Sequence, residues 1–480
     1  MYLRTASYSQ LLLSACISVT LAISSVGCAS LFKCKCTDIT PLGSTGVVPS
    51  GGASNSASLP VAASAVIADQ AQIFAPEAQN SLSVQASPYV ILVSIDGYRY
   101  DYNQKYQPPN LSQLAKDGVT ADALLPVYPS KTFPNHYSIA TGLYTSHHGI
   151  VSNEFYAPKR DAVYSLPDRK AVTDGSWYGG LPLWVAVEKQ GGIAASYFWV
   201  GSEAEIAGYR PNFYFLYNQA TSDDARVAQV LEWLKLSPEK RPHFISMYFS
   251  GVDSAGHESG PDSEQTREAV LKVDAAIGKL RAGLQNSKLP VNIIVVSDHG
   301  MEAIDLNKTI VLDETAALEA KLSKFIALGR GPQMLLYLDK SVGTNASERR
   351  RIVHETKLAL EQLAKKRGGV FRVRAQSELK ELHYEGNDRV GDLVIEPDAP
   401  WSVGLKKQTP FVAGGNHGWN PQKTKNMGGI FYASGPAFKE HYQVHSFENI
   451  NVYPLVLDIL GMKPLTPIDG DLAVTKEVLH

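Results

Sequence analysis

Three stretches of this chain set a carboxylate directly behind an apolar run: Ile95-Asp96-Gly97, Gly251-Val252-Asp253-Ser254-Ala255-Gly256-His257 and Ser297-Asp298-His299-Gly300. Two of them add an imidazole, His257 four residues after Asp253 and His299 next to Asp298. A further one, His417, stands in Gly414-Gly415-Asn416-His417-Gly418-Trp419, where glycines leave a loop free to turn inward. A lone Asp after a strand is usually a turn former, and a lone His usually sits at the surface or is satisfied in the core. Taken together, these oxygen and nitrogen donors make a divalent-metal constellation. The other chemistry-bearing residue is Thr132, in Pro129-Ser130-Lys131-Thr132-Phe133-Pro134-Asn135-His136-Tyr137. It precedes a proline suited to a first helical turn, so its hydroxyl is expected at the N-cap. There it either bonds a backbone N–H or, held at the positive end of the helix dipole, attacks phosphorus. An alcohol is a poor nucleophile at neutral pH and needs a base or a metal ion to act.

The elements that must position these groups follow from the apolar runs. Residues 89–95, 243–249 and 291–296 are continuous hydrophobic stretches of strand length, as expected for strands buried on both faces of a parallel sheet. Helical spacing over 223–236 and 263–284 alternates with them, and 450–460 reads as a closing helix. The predicted fold is α/β, a mostly parallel central sheet flanked by helices, and ligands of such sheets gather beyond the carboxyl ends of the strands. Residues 305–402 change character, with charged helical stretches at 316–325 and 347–366 and a strand at 391–396, and read as an inserted cap-like elaboration.

The chain has 480 residues, 44% hydrophobic and 19% charged, with a net charge of −2, and so no basic excess to suggest a structural nucleic-acid partner. All four cysteines, Cys16, Cys28, Cys34 and Cys36, precede the folded body, which excludes a cysteine nucleophile or zinc thiolate there. The apolar run 11–32 reads as a secretory signal over 1–28. It is similar to a bacterial lipoprotein signal with Cys28 as the lipidated residue, with a signal anchor or plain cleavage as alternatives. Arg4 before the run and Lys33 and Lys35 after it are the wrong charge bias for an anchor with its body outside. The expectation is secretion across the inner membrane, as a periplasmic protein or a lipoprotein held by its lipid. Residues 29–87, without Lys or Arg from 37 on, read as a flexible tether, and 88–470 as the catalytic domain.

The pairing of Asp96-Gly97-Tyr98-Arg99-Tyr100 with Lys131-Thr132-Phe133-Pro134-Asn135-His136-Tyr137 resembles the nucleotide pyrophosphatase/phosphodiesterase family of the alkaline phosphatase superfamily. Gly149-Ile150-Val151-Ser152-Asn153, Val252-Asp253-Ser254-Ala255-Gly256-His257, Ser297-Asp298-His299-Gly300 and Asn416-His417-Gly418 continue the resemblance in order. It implies an alkaline phosphatase-like fold holding two zinc ions, one on Asp96, Thr132, Asp298 and His299, the other on Asp253, His257 and His417. It further implies Thr132 as nucleophile, Asn153 as donor to a phosphoryl oxygen, and a base flanked by Phe133 and Tyr214, with Tyr248 lining the same pocket. The activity implied is zinc-dependent hydrolysis of nucleotide phosphodiester or pyrophosphate bonds through a phosphothreonine. A phospholipid-headgroup phosphodiesterase or a phosphomonoesterase on the same metal site is the alternative, Lys131 and Arg99 being the local cations a monoesterase would need. A vestigial ligand-binding lipoprotein is the alternative outside the enzymes.

Overall fold

The computed structural model describes residues 72–480. The signal over 1–28, its Cys28, and 29–71 of the expected tether lie outside the described residues. Nine strands form the central sheet in the order Ile73–Phe74, Phe213–Tyr214, Ala194–Tyr197, Phe244–Phe249, Tyr89–Ile95, Val291–Val296, Phe431–Ser434, Val119–Ala121 and Tyr442–Val444. All but Ile73–Phe74 and Phe431–Ser434 run the same way, so the sheet is mixed and mostly parallel.

The pleat explains why the central strands read as unbroken apolar runs. Val90 and Leu92 enter one hydrophobic cluster, and Tyr89, Ile91, Val93 and Ile95 enter the cluster on the opposite face, all of them buried. Helices cover both faces. In Glu264–Ser287, Ser263 accepts from the Thr266 N–H as N-cap, and Val270, Val273, Ile277 and Leu280 bury one stripe. Asp223–Leu234, capped by Ser222, presents Val227, Val230, Trp233 and Leu234 to the same cluster.

Between these parts a four-stranded sheet, ordered Phe325–Leu328, Met334–Leu338, Leu393–Pro397 and Phe371–Ala375, packs with helices Ala316–Leu322 and Ala346–Lys366 around a core of its own. The helical stretch expected over 316–325 ends at Leu322, because Phe325 starts an edge strand. The tether expected to reach residue 87 also ends early. Ile73–Phe74 pairs with Phe213–Tyr214, and buried Asn80 accepts from the Ile193 N–H and donates to the carbonyls of Pro238 and Arg241. A stretch poor in charge docks here through backbone pairing, Asn80 and the burial of Val84 in the main cluster rather than through a core of its own.

Candidate metal centre and cavity

Sheet register brings the carboxylates together. Ser94 pairs with Val296 on one side and Tyr248 on the other, so the chain leaves three adjacent parallel strands at one level. Asp96 and Asp298 each follow two residues beyond that level, and Asp253 lies in the first turn of helix Gly251–Ser259. The close approach explains Gly97, at φ +67°, where a Cβ would lie 2.9 Å from Asp253 Cα. His257 is on the same face of that helix as Asp253, and His417 comes in from the loop after the short pairing of Gly415–Asn416 with Glu302–Ala303.

Each imidazole has its tautomer set by a backbone carbonyl. The Nδ1–H groups of His257, His299 and His417 donate to the carbonyls of Gly415, Gly300 and Ser130, each at 2.9 Å. All three Nε2 lone pairs are thereby turned toward the carboxylates, the arrangement typical of metal-ligating histidines. His299 Nε2 lies 2.9 Å from Asp298 Oδ2, 3.4 Å from Asp96 Oδ1 and 3.2 Å from Thr132 Oγ1. His257 Nε2 lies 3.1 Å from His417 Nε2 and 3.5 Å from Asp253 Oδ1, and His417 Nε2 lies 3.7 Å from that same oxygen. Ligand atoms of a tetrahedral ion bound at about 2.0–2.1 Å stand about 3.3 Å apart, so these separations fit the expected sets. Asp253 also lies within 4.8 Å of His299 and His417 through ligand atoms, which makes the two groups contiguous.

One oxygen of each carboxylate, Asp96 Oδ1, Asp253 Oδ1 and Asp298 Oδ2, is buried without a hydrogen-bond partner. Their other neighbours are in place. Tyr248 donates its hydroxyl to Asp96 Oδ2 at 2.6 Å, and the Gly97 N–H donates to Asp298 Oδ1. Burial, then the Asp298 and Asp253 carboxylates, pushes Asp96 well above the usual carboxylate range. Against its own burial, Asp298 is drawn well below that range when His299 and His136 carry a proton. Three carboxylates in so small a volume, Asp96 and Asp298 buried and Asp253 half-buried, repel unless a cation lies among them, and the orphaned oxygens mark where one fits. Tyr248→Phe keeps the ring and removes the donor to Asp96. Divalent-cation affinity is expected to fall roughly 10- to 100-fold, read by competition with a chromophoric chelator. An unchanged affinity would show the bond to be incidental.

Thr132 opens helix Thr132–Thr141, but as its first residue and not its cap. The N-cap is Lys131, and no side chain caps there. The Thr132 hydroxyl is therefore not spent on the backbone and faces His299. The N–H of Phe133 is instead taken by Asn153 Oδ1 at 2.9 Å, which leaves the Asn153 Nδ2 donors available to a ligand. His136, one turn on from Thr132, is fully buried behind Asp298, with Nδ1 3.2 Å from Asp298 Oδ2 and Nε2 2.8 Å from Ser94 Oγ.

Beside the cluster lies a cavity of about 220 Å³ reaching Asp96, Thr132 and Asp253 and walled by Phe133, Phe198, Trp199, Tyr217 and Tyr248. Tyr214, expected opposite Phe133, does not line it. Tyr214 is paired with Ile73 and Ser196 within the outer strands of the sheet, and only beyond its strand does the chain turn over the crevice and deliver Tyr217. Arg99 is also placed away from any monoester role. It is 5% exposed, bound to Asp101 and Asp262, and donates to the Met301 carbonyl. Lys131 Nζ lies 3.4 Å from Ser152 Oγ, and burial pushes its pKa down to about 8. Sequence reading missed Tyr217, His136 and Ser130. An aromatic three residues past Tyr214 was the only available signal for the first, and contacts far apart in sequence define the other two.

A family model described as type I phosphodiesterase / nucleotide pyrophosphatase matches residues 90–420. The chain is 36% identical over 381 residues to venom phosphodiesterase of Naja atra, covering 78% of this chain and 44% of that protein. It is 37% identical over 384 residues to ectonucleotide pyrophosphatase/phosphodiesterase family member 1 of Rattus norvegicus, covering 79% of this chain and 41% of that protein. The chain thus spans less than half the length of these curated relatives. Among solved structures it is similar to murine ectonucleotide pyrophosphatase/phosphodiesterase 5, in an inactive threonine-to-alanine form in complex with AMP. That likeness has a TM-score of 0.73 at 27% identity and covers 82% of this chain and 100% of that one.

Proposed function

The chain belongs to the type I phosphodiesterase / nucleotide pyrophosphatase family, and from that premise we propose that it hydrolyses nucleotide phosphodiester or pyrophosphate bonds through a phosphothreonine at Thr132. The observation that carries this reading is the Thr132 hydroxyl, bonded to no backbone group, 3.2 Å from His299 Nε2 at the rim of the Asp/His cluster and opening into the aromatic cavity. The AMP held by the murine relative, and the threonine-to-alanine change in its inactive form, support it.

Asp96, Thr132, Asp298 and His299 would hold one zinc ion, and Asp253, His257 and His417 the other. Bound there, the pair supplies positive charge for the attacking and leaving oxygens. The chain's own groups do the rest. Thr132 Oγ1 loses its proton and forms a bond to phosphorus as the bond to the leaving oxygen breaks, the leaving oxygen takes up a proton and the phosphorus keeps its other substituent. Water then adds its oxygen to phosphorus, breaks the Oγ1–P bond and returns a proton to Oγ1. The Asn153 amide, fixed by the Phe133 N–H, points its donors at a non-bridging phosphoryl oxygen. Phe133 and Tyr217 offer flat faces to a nucleobase.

Two observations weigh against the neighbouring readings. A monoesterase needs additional positive charge, yet Arg99 is bound to two carboxylates. A choline headgroup could use the aromatic walls of the cavity, but its charge would also call for a free carboxylate beside them. Glu203, which lines the cavity wall, is already paired with Arg169.

The test is a panel of dinucleotides, nucleoside diesters, nucleotide monoesters and choline phospholipids, with a base-free chromogenic diester for comparison. Stacking one base contributes about 1 to 3 kcal/mol, so Phe133→Ala or Tyr217→Ala is expected to lower kcat/KM for nucleoside diesters roughly 5- to 150-fold. The base-free diester should lose much less, and Tyr214→Ala should not discriminate between the two. Equal losses on both substrates, or a wild-type preference for choline lipids, would overturn the nucleotide assignment and leave the metal centre standing.

A further inference from the structure

We infer that Ser130 is a positioning residue that ties the His417 loop to the nucleophile helix and thereby sets cation affinity at the Asp253, His257 and His417 group. The inference rests on the metal reading above. Of that group, Asp253 and His257 are built into one helix, which fixes their spacing without outside help. His417 has no such support, since it stands in a loop after a strand only two residues long.

On the side of the nucleophile, one serine holds that loop. Ser130 is fully buried, and its hydroxyl donates to the Trp419 carbonyl at 2.6 Å while accepting from the Gly418 N–H at 3.2 Å. Its own carbonyl accepts from His417 Nδ1–H. Three consecutive residues of the loop are thus bonded to a single residue two positions before Thr132. A side chain that donates and accepts in the same direction must be a hydroxyl, and one this short must be Ser or Thr. The loop is pressed close as well. Gly418 has φ +123°, and a Cβ there would meet Lys131 Cε at 3.0 Å. Trp419, fully buried, anchors the far side by donating from Nε1 to the Trp401 carbonyl. Removing the hydroxyl leaves the backbone bond to His417 in place but frees the peptide that aims the ring, so the fault should appear at one cation group and not at both.

The full chain, its Ser130→Ala variant and a Ser138→Ala control are titrated with zinc against a chromophoric chelator. Ser138 is an equally buried serine within helix Thr132–Thr141, which follows Ser130, and its hydroxyl bonds His148 Nε2 at 2.9 Å, away from either cation group. The expected result is two zinc ions per wild-type chain, one of them bound roughly 10- to 100-fold more weakly by Ser130→Ala, and Ser138→Ala at the wild-type values. If Ser130→Ala does not fold, Ser130→Cys, of nearly the same shape but a weak hydrogen-bonding group, takes its place with the same expectation. Unchanged zinc affinities in the Ser130 variant, equal weakening of both ions, or equal weakening in Ser138→Ala would overturn the inference. A wild-type chain that binds no zinc would overturn the metal reading itself, and this inference with it.

Discussion

Thr132→Ala is expected to lower turnover of a nucleoside diester by roughly 10,000- to 1,000,000-fold, the scale on which enzymes lose rate when a covalent nucleophile is removed. The fold should survive, because the structure takes away the competing use for this hydroxyl. At an N-cap, Thr→Ala would cost about 1 kcal/mol. Thr132 is instead the first helical residue, with Lys131 as the cap and no side-chain cap bond to lose. The buried methyl contributes about 0.8 kcal/mol, and Ala regains roughly half a kcal/mol of helix propensity over Thr. Stability should therefore change by about 1 kcal/mol or less. Trapping of labelled phosphate on the protein after acid quench should vanish in Thr132→Ala and persist in Thr132→Ser, which keeps the alcohol. Wild-type turnover in Thr132→Ala would return the hydroxyl to a structural role.

The same residue shows how far the sequence could be read. Asp96, Asp253, Asp298, His257 and His299 could be singled out because each follows a buried strand or lies one helical turn from another such residue, both local spacings, whereas only the surrounding glycines marked His417. The strands at 89–95 and 291–296 were recovered to the residue for the same reason: both faces are buried, so the apolar run is unbroken. The cap of the Thr132 helix was not legible, since Thr is the better N-cap by propensity, and the tertiary demand that its hydroxyl face His299 moves the boundary by one residue. Tyr214 and Tyr217 could not be told apart without knowing that the strand ends at Tyr214 and pairs with Ile73. Ser130 bonds a histidine 287 residues away, and no local pattern carries such information.

Metal removal should have the second large effect. Exhaustive chelation of the full chain is expected to abolish activity, and zinc to restore it, whereas magnesium or calcium should not. The donor set decides this, for each cation group contains imidazole, and His257 and His417 supply two at one group with only Asp253 beside them. Magnesium and calcium take oxygen ligands almost exclusively, while zinc accepts nitrogen and carboxylate oxygen in small tetrahedral sets. Chelation should also lower the melting temperature. A ligand that binds only the folded state stabilises it by about 4 kcal/mol at a thousandfold excess over its Kd, so two ions should shift the transition by on the order of 10 °C in a domain this large. The shift has a structural source in Asp96 Oδ1, Asp253 Oδ1 and Asp298 Oδ2, buried oxygens that only a cation or a proton can satisfy. Thr132→Ala removes one oxygen ligand along with the nucleophile, so it should retain most of that zinc-dependent shift through the remaining Asp and His donors while losing turnover. Full activity after exhaustive chelation would remove the metal from the mechanism, and restoration by magnesium as readily as by zinc would contradict the role assigned to the three histidines.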